Sequence, residues 1–268
     1  MTLMLLIVFS LFGLIVGSFL NVVIYRFNTD RSLGGRSGCM VCQSKLAWYD
    51  LVPVLSFVAL KGRCRSCSTK ISTQYPLVEI SSAIIFGLIF WKFQDLFYTD
   101  ILIFSFTYSY YVTLFSILLV ITVYDIKHKI IPDGLAFIFG AFAFVGMFFF
   151  DTSSFGSVSV FYPHIPSLAE FLGSFAIAIP FAGLWFFSRG AWMGLGDGKL
   201  AIGLGFMLGL GKLLSAAVLS FWSGAIIGLI LVAIKRTHNM KSEIPFGPFL
   251  VLGAFLAFIF ELNLFQIF

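Results

Sequence analysis

A chain of 268 residues that is 60% hydrophobic and only 11% charged, with a mean hydropathy of +1.03, lacks the polar surface that a soluble domain of this size needs. The formal net charge of +5 does not mark a nucleic-acid binder, because most positive residues flank apolar runs, as the positive-inside bias requires. Composition therefore predicts an all-α, polytopic membrane protein.

Apolar runs at about 3–24, 77–94, 101–122, 134–150, 168–187, 196–211, 213–234 and 247–267 predict about eight transmembrane helices. The boundary between the sixth and seventh rests on Gly211 and Lys212, so seven is the alternative count. The first run lacks a basic leading segment and a small-x-small cleavage site, which predicts retention as a helix rather than removal as a signal peptide. With eight spans the basic connections, 26–70, 123–133 and 235–243, fall on one side, and the basic-poor loop 151–167 falls on the other. That arrangement puts both termini outside and the long first loop in the cytoplasm. The expected division is a first helix at 1–24, a cysteine-bearing loop at 25–76 and a polytopic membrane domain at 77–268. No internal repeat is expected, and the 35 Phe residues read as lipid-facing and interhelical bulk.

The first loop holds all four cysteines, as Cys39-Met40-Val41-Cys42 and Cys64-Arg65-Ser66-Cys67, with 21 residues between the pairs. Paired CxxC elements turn two thiolates each toward one ion, and an all-sulfur tetrahedral set suits a structural Zn²⁺. A four-sulfur iron site fits the same spacing, and a thiol-redox pair is the other reading. Gly38 and Gly62 precede the two pairs and supply room for tight turns. A loop with so little apolar material would draw its folding energy from the metal. Between the pairs, Leu51 through Ser56 would lie against the bilayer or pack over the metal. Farther along, Glu79 stands close to where the second span enters the membrane.

Two aspartates sit where apolar runs meet charged, glycine-rich sequence. Asp125 closes the third span, and Asp197 closes Gly194-Leu195-Gly196-Asp197, before Gly198 and Lys199. Carboxylates near hydrocarbon are costly, and a close pair would share a proton, leaving a base and an acid suited to peptide hydrolysis. Ion-coupled transport uses similar residues, and a metal-braced scaffold is a third reading. Gly194, Gly196 and Gly198 would allow a close approach by substrate backbone. Lys199 would bias the pair, hold a carboxylate or mark the membrane boundary. Pro132 and Asp133 read as the start of a helix, with Asp133 as its N-cap.

The chain resembles the bacterial prepilin peptidases, also called type IV leader peptidases, a family of GxGD intramembrane aspartyl proteases. The resemblance runs through Gly17-Ser18-Phe19-Leu20-Asn21-Val22-Val23-Ile24-Tyr25-Arg26, both cysteine pairs, Asp50-Leu51-Val52-Pro53, Gly62-Arg63-Cys64-Arg65, Tyr75-Pro76-Leu77-Val78-Glu79, Asp125 to Asp133, Gly194 to Lys199 and Ile244-Pro245-Phe246-Gly247-Pro248. Met40 stands where the family often has Pro. The resemblance implies an enzyme of the bacterial inner membrane that removes basic leaders from prepilins and pseudopilins, cutting after Gly at the cytoplasmic face. By motif position Asp125 and Asp197 match the catalytic pair, and Asp133 a nearby acidic position. Many members also use S-adenosylmethionine to methylate the new N-terminus, for which Glu79 and Gly17 are candidates by motif match; others are peptidases only. The implied partners are the prepilins and membrane lipids.

Overall fold

The computed structural model describes residues 2–29, 32, 34–150, 161–190, 193–234 and 244–265. The described residues form helices and turns, with isolated β-bridges in place of strands. Among the described residues ten α-helices run in order: α1 (Thr2–Arg26), α2 (Leu55–Ala59), α3 (Gln74–Lys92), α4 (Gln94–Thr99), α5 (Ile101–His128), α6 (Asp133–Gly146), α7 (Leu168–Gly173), α8 (Ala178–Ser188), α9 (Leu195–Ile234) and α10 (Gly247–Ile259). A 3₁₀ turn at Trp48–Leu51 precedes α2.

The chain divides into two compact units, Met1–Gln94 and Asp95–Phe268. The division differs from the expected boundaries at 24/25 and 76/77, because the second span packs on the first. In the first unit α1 and α3 run antiparallel: Phe9 stacks on Phe90 with ring centroids 4.4 Å apart, and Tyr25 stacks on Tyr75 at 5.0 Å. Between these rings the backbones touch. A Cβ on Gly13 would lie 2.8 Å from Ala83 Cα, and one on Gly17 would lie 2.7 Å from Glu79 Cα. Lipid gives apolar helices no hydrophobic reason to associate, so close contact through small residues four apart carries the pairing.

In the second unit α5 is packed by α6 and α10. Its inner face (Tyr111, Phe115, Leu118, Ile121) is almost wholly buried, with Tyr111 and Phe115 against Phe258 of α10 at 4.4 and 5.3 Å. Helix α9 packs on α6, α7, α8 and α10. Where it crosses α6, Gly203 leaves room for the Phe139 ring, which a Cβ would meet at 2.6 Å.

Among the described residues, five helical runs are long and apolar enough to cross a membrane: Thr2–Arg26, Gln74–Lys92, Ile101–His128, Leu168–Ser188 and Leu195–Leu231. Asp133–Gly146 and Gly247–Ile259 are apolar but shorter. The fourth and eighth apolar runs are thus helical over only part of their expected lengths. The sixth and seventh spans continue into each other as α9. That helix breaks at Gly209 (φ 73°, ψ 170°), a conformation open to glycine, rather than at the expected Gly211–Lys212. Lys212 instead forms an ion pair with Glu261, just beyond α10.

Candidate functional site

Asp125 and Asp197 are both buried within the second unit. Asp125 lies in the last turn of α5, which closes through Lys129 in the left-handed region (φ 56°), whose N–H donates to the Asp125 carbonyl at 2.7 Å. The chain then turns through buried Ile131 and Pro132 into α6. Asp197 lies in the first turn of α9, and its carboxylate faces back to the Gly194 N–H. This reach from the third helical residue is half of a capping box, so the carboxylate serves the helix start as well. Asp197 lies near enough to Asp125 to feel its charge.

Gly247, the first residue of α10, completes the arrangement. Its N–H faces the Asp125 carboxylate, so the positive end of that helix is aimed at the acid. A Cβ on Gly247 would lie 2.5 Å from Asp125 Oδ2 and 3.2 Å from Ile131 Cδ1. A Cβ on Gly196 would lie 2.9 Å from Ile131 Cβ. Ile131 is therefore the wedge against which the starts of α9 and α10 close around the end of α5. The sequence by itself assigns no role to Ile131 or Gly247, although a Gly-Pro pair opening an apolar run is a readable signal. Gly247→Ala should lower turnover about a hundredfold by displacing Asp125. Steady-state kinetics on folded protein checks this, and near-normal rates would show that the Asp125 position is not critical.

The supporting glycines differ in what surrounds them. Gly196 is confined by Ile131, whereas a Cβ on Gly194 or Gly198 would meet its nearest neighbour at 3.6 or 3.8 Å, which is ordinary contact. Asp133 is the first residue of α6 rather than its cap. Pro132 holds the capping position with extended backbone and makes no side-chain capping bond. The Asp133 carboxylate is 76% exposed and pairs with Lys199 Nζ at 2.7 Å, tying the start of α6 to the first turn of α9. An exposed pair of this kind stabilises little, so its effect is on position.

The four cysteines converge within the first unit, with all Sγ atoms within 4.8 Å of one another. Cys39 and Cys67 Sγ are 3.8 Å apart, close to the ~3.8 Å edge of a tetrahedron built on metal–sulfur bonds of about 2.3 Å. The donor set therefore suits one tetrahedral metal ion. Each pair sits in the same kind of turn. Cys39 N–H donates to Ser44 O and Cys64 N–H to Thr69 O; Gln43 N–H donates to Cys39 O and Ser68 N–H to Cys64 O. Gln43 and Ser68 occupy the same left-handed conformation (φ 54° and 56°), and Ser44 and Thr69 place hydroxyls 3.1 and 3.3 Å from Cys42 and Cys67 Sγ. Segments 38–45 and 63–70 are thus a short structural repeat, contrary to the expectation that none exists. The hydroxyl and amide of Thr69 pull the Cys67 thiol down to about 6, and Ser44 likewise lowers Cys42, so both sulfurs are disposed to act as thiolates. Arg65, inside the second pair, donates twice to Asp50 Oδ1 at 2.8 and 3.0 Å and crosses the Tyr49 ring, clasping the two halves of the loop together.

Glu79 and Gly17 also meet in the first unit. Gly17 fixes the Glu79 backbone by close approach, and Asn21 Nδ2 donates to the Gly17 and Tyr75 carbonyls. The buried Glu79 carboxylate accepts the Val54 N–H at 2.7 Å and faces the Ser18 hydroxyl. Val54 is held at φ 58°, ψ −49°, which strains a β-branched residue. Glu79 is therefore first of all the pin that holds the loop to α3.

The fold and sites define a polytopic helical membrane protein carrying a four-sulfur module and a buried pair of aspartates. Residues 11–93 match the family described as Bacterial Peptidase A24 N-terminal domain, and residues 112–229 match the Type IV leader peptidase family. Three relatives are each named "Prepilin leader peptidase/N-methyltransferase". That of Myxococcus xanthus is 33% identical, covering 86% of this chain and 66% of its own. That of Vibrio cholerae is 30% identical, covering 94% and 96%, and that of Bacillus subtilis is 30% identical, covering 93% and 92%. No solved structure matches the chain. The chain belongs to the type IV leader peptidase family.

Proposed function

We propose that the protein is a prepilin leader peptidase that also methylates the N-terminus it exposes. The observation that carries the first part is the convergence of Asp125 and Asp197 at the helix ends closed by Ile131 and Gly247. The pair shares one proton. Its carboxylate takes a proton from water as the oxygen attacks the scissile carbonyl carbon, and its acid gives a proton to the carbonyl oxygen. When the C–N bond breaks, a proton passes to the leaving amine and the dyad returns to its starting state. The bond cut is the one after Gly in a type IV prepilin or pseudopilin, whose basic leader stays in the cytoplasm while its apolar helix stays in the bilayer. Gly196 lies beside this pair, where an extended peptide must approach.

The cysteine loop lies on the cytoplasmic face of the bacterial inner membrane with both termini outside, an orientation supported by the distribution of basic residues. The four sulfurs hold Zn²⁺ in a structural role, since a filled tetrahedron leaves no position for substrate. For the second reaction, S-adenosylmethionine supplies an electrophilic methyl group to the new α-amine. Glu79, kept in place by Gly17, is the carboxylate proposed to take the amine's proton. Glu79→Gln keeps an oxygen for the Val54 N–H and removes the base, so it should slow methylation at least tenfold while Val54 stays protected from hydrogen exchange. Methylation at the wild-type rate would limit Glu79 to its pinning role.

Intact-mass measurement of a purified prepilin, incubated with the protein with and without S-adenosylmethionine, tests the whole reading. Leader loss in both samples, with an added methyl only when the donor is present, is the expected result. Leader loss without methylation would identify a peptidase-only member of the family, and an uncut prepilin would overturn the proposal.

A further inference from the structure

The loop between the cysteine pairs carries an outward face that neither the metal nor the peptidase site uses. Trp48, Leu55 and Val58 are 80%, 68% and 66% exposed, and Leu51 is exposed with them, while Val52, Pro53, Val54 and Phe57 turn partly inward. Such large apolar side chains are expensive in water. Their depth is fixed by the pin to α3. Glu79 is the sixth residue of that helix, about 7.5 Å along its axis from Gln74, and the Val54 N–H reaches it at 2.7 Å. The segment is therefore drawn down the flank of a membrane-spanning helix instead of standing out in solvent. The same loop carries exposed Arg36, Lys45, Lys61, Arg63 and Lys70 on either side of this segment in sequence, and the sole acid among the described residues of the loop, Asp50, is committed to Arg65.

We propose that residues 48–58 form an interfacial anchor that seats the cysteine module in a bilayer surface rich in anionic lipid headgroups. Trp48 and Tyr49 supply the aromatic residues favoured at headgroup depth, Leu51, Leu55 and Val58 enter the upper acyl region, and the flanking cations meet lipid phosphates. A basic prepilin leader is a poor occupant of the same face, because like charges would oppose each other across it. The anchor rests on the membrane spans and not on the peptidase assignment, so either can fail without the other.

The test uses the full chain in nanodiscs of phosphatidylglycerol and phosphatidylcholine with acyl chains brominated near the carbonyl end. The emission of Trp48, taken as wild type minus Trp48→Phe, should lose most of its intensity to the bromines and resist aqueous acrylamide. Leu55→Asp with Val58→Asp should restore the emission while metal content is unchanged. Emission that ignores the bromines and yields to acrylamide would overturn the anchor, as would Trp48 protection appearing only after prepilin is added. Equal bromine quenching in pure phosphatidylcholine would remove the anionic-headgroup assignment.

Discussion

Asp125→Asn and Asp197→Asn proteins should each cut prepilin at least about a thousandfold more slowly than wild type, because on the proposed mechanism neither retains a carboxylate pair that can hold one proton and exchange it. The double variant should be scarcely worse than either single one if the two groups act as a unit. Asn fills nearly the same volume and retains an oxygen, so Asp197→Asn can still accept the Gly194 N–H and Asp125→Asn the Gly247 N–H. Assembly of the second unit should therefore survive, as judged by its elution in detergent and its melting temperature. Methylation of a pilin supplied already cut should also proceed at the wild-type rate, because Glu79 lies in the other unit. Parallel rates of cleavage and methylation on those two substrates separate the outcomes. A fall in both would point to general damage, and substantial cleavage by either variant would remove that aspartate from the chemistry.

Removing the metal should have an effect as large on the first unit. Cys64 is the buried member of the cluster, and Cys64→Ser leaves a donor that binds zinc poorly at the centre of the site. Metal analysis should fall from stoichiometric to background, and residues 38–70 should become open to protease, since a structural zinc of this type contributes on the order of 10 kcal/mol to folding its own loop. Chelation of the wild-type protein should do the same reversibly. Because Val54 hangs from Glu79 within this loop, methyl transfer should fall with it. An intact, protease-resistant loop without metal would show that the Arg65–Asp50 clasp and the paired turns suffice.

How far the sequence carries depended on whether a feature is written in one residue or in a relation between several. Asp125, Asp197 and the cysteines stand out because charge beside hydrocarbon and paired thiols are rare, and their convergence follows from helices that must pack somewhere. The break in α9 is legible only as a region, since Gly205, Gly209 and Gly211 offer equal freedom and it is Gly209 that leaves the helical conformation. The repeated turn escaped notice because the residues that make it correspond in φ and hydrogen bonding while their side chains differ: Gln43 with Ser68, Met40-Val41 with Arg65-Ser66. Asp133 reads as a cap because its residue type favours one, whereas its partner, Lys199, lies 66 residues away and is not legible locally. The role of Gly247 was hidden for the same reason, as it shows only beside Asp125.

The close approach of Gly13 and Gly17 to α3 separates two steps that coincide in soluble proteins. Each helix of this pair is apolar enough to enter the bilayer independently, and no water is released when they meet there. A methyl group added at Gly17 would leave both segments inserted, correctly oriented and fully helical, and still deny them their partner. Such a defect is invisible to hydropathy and to helix content. It belongs to assembly alone, and in this chain assembly of the first hairpin decides where Glu79, and through Val54 the whole cysteine module, comes to rest.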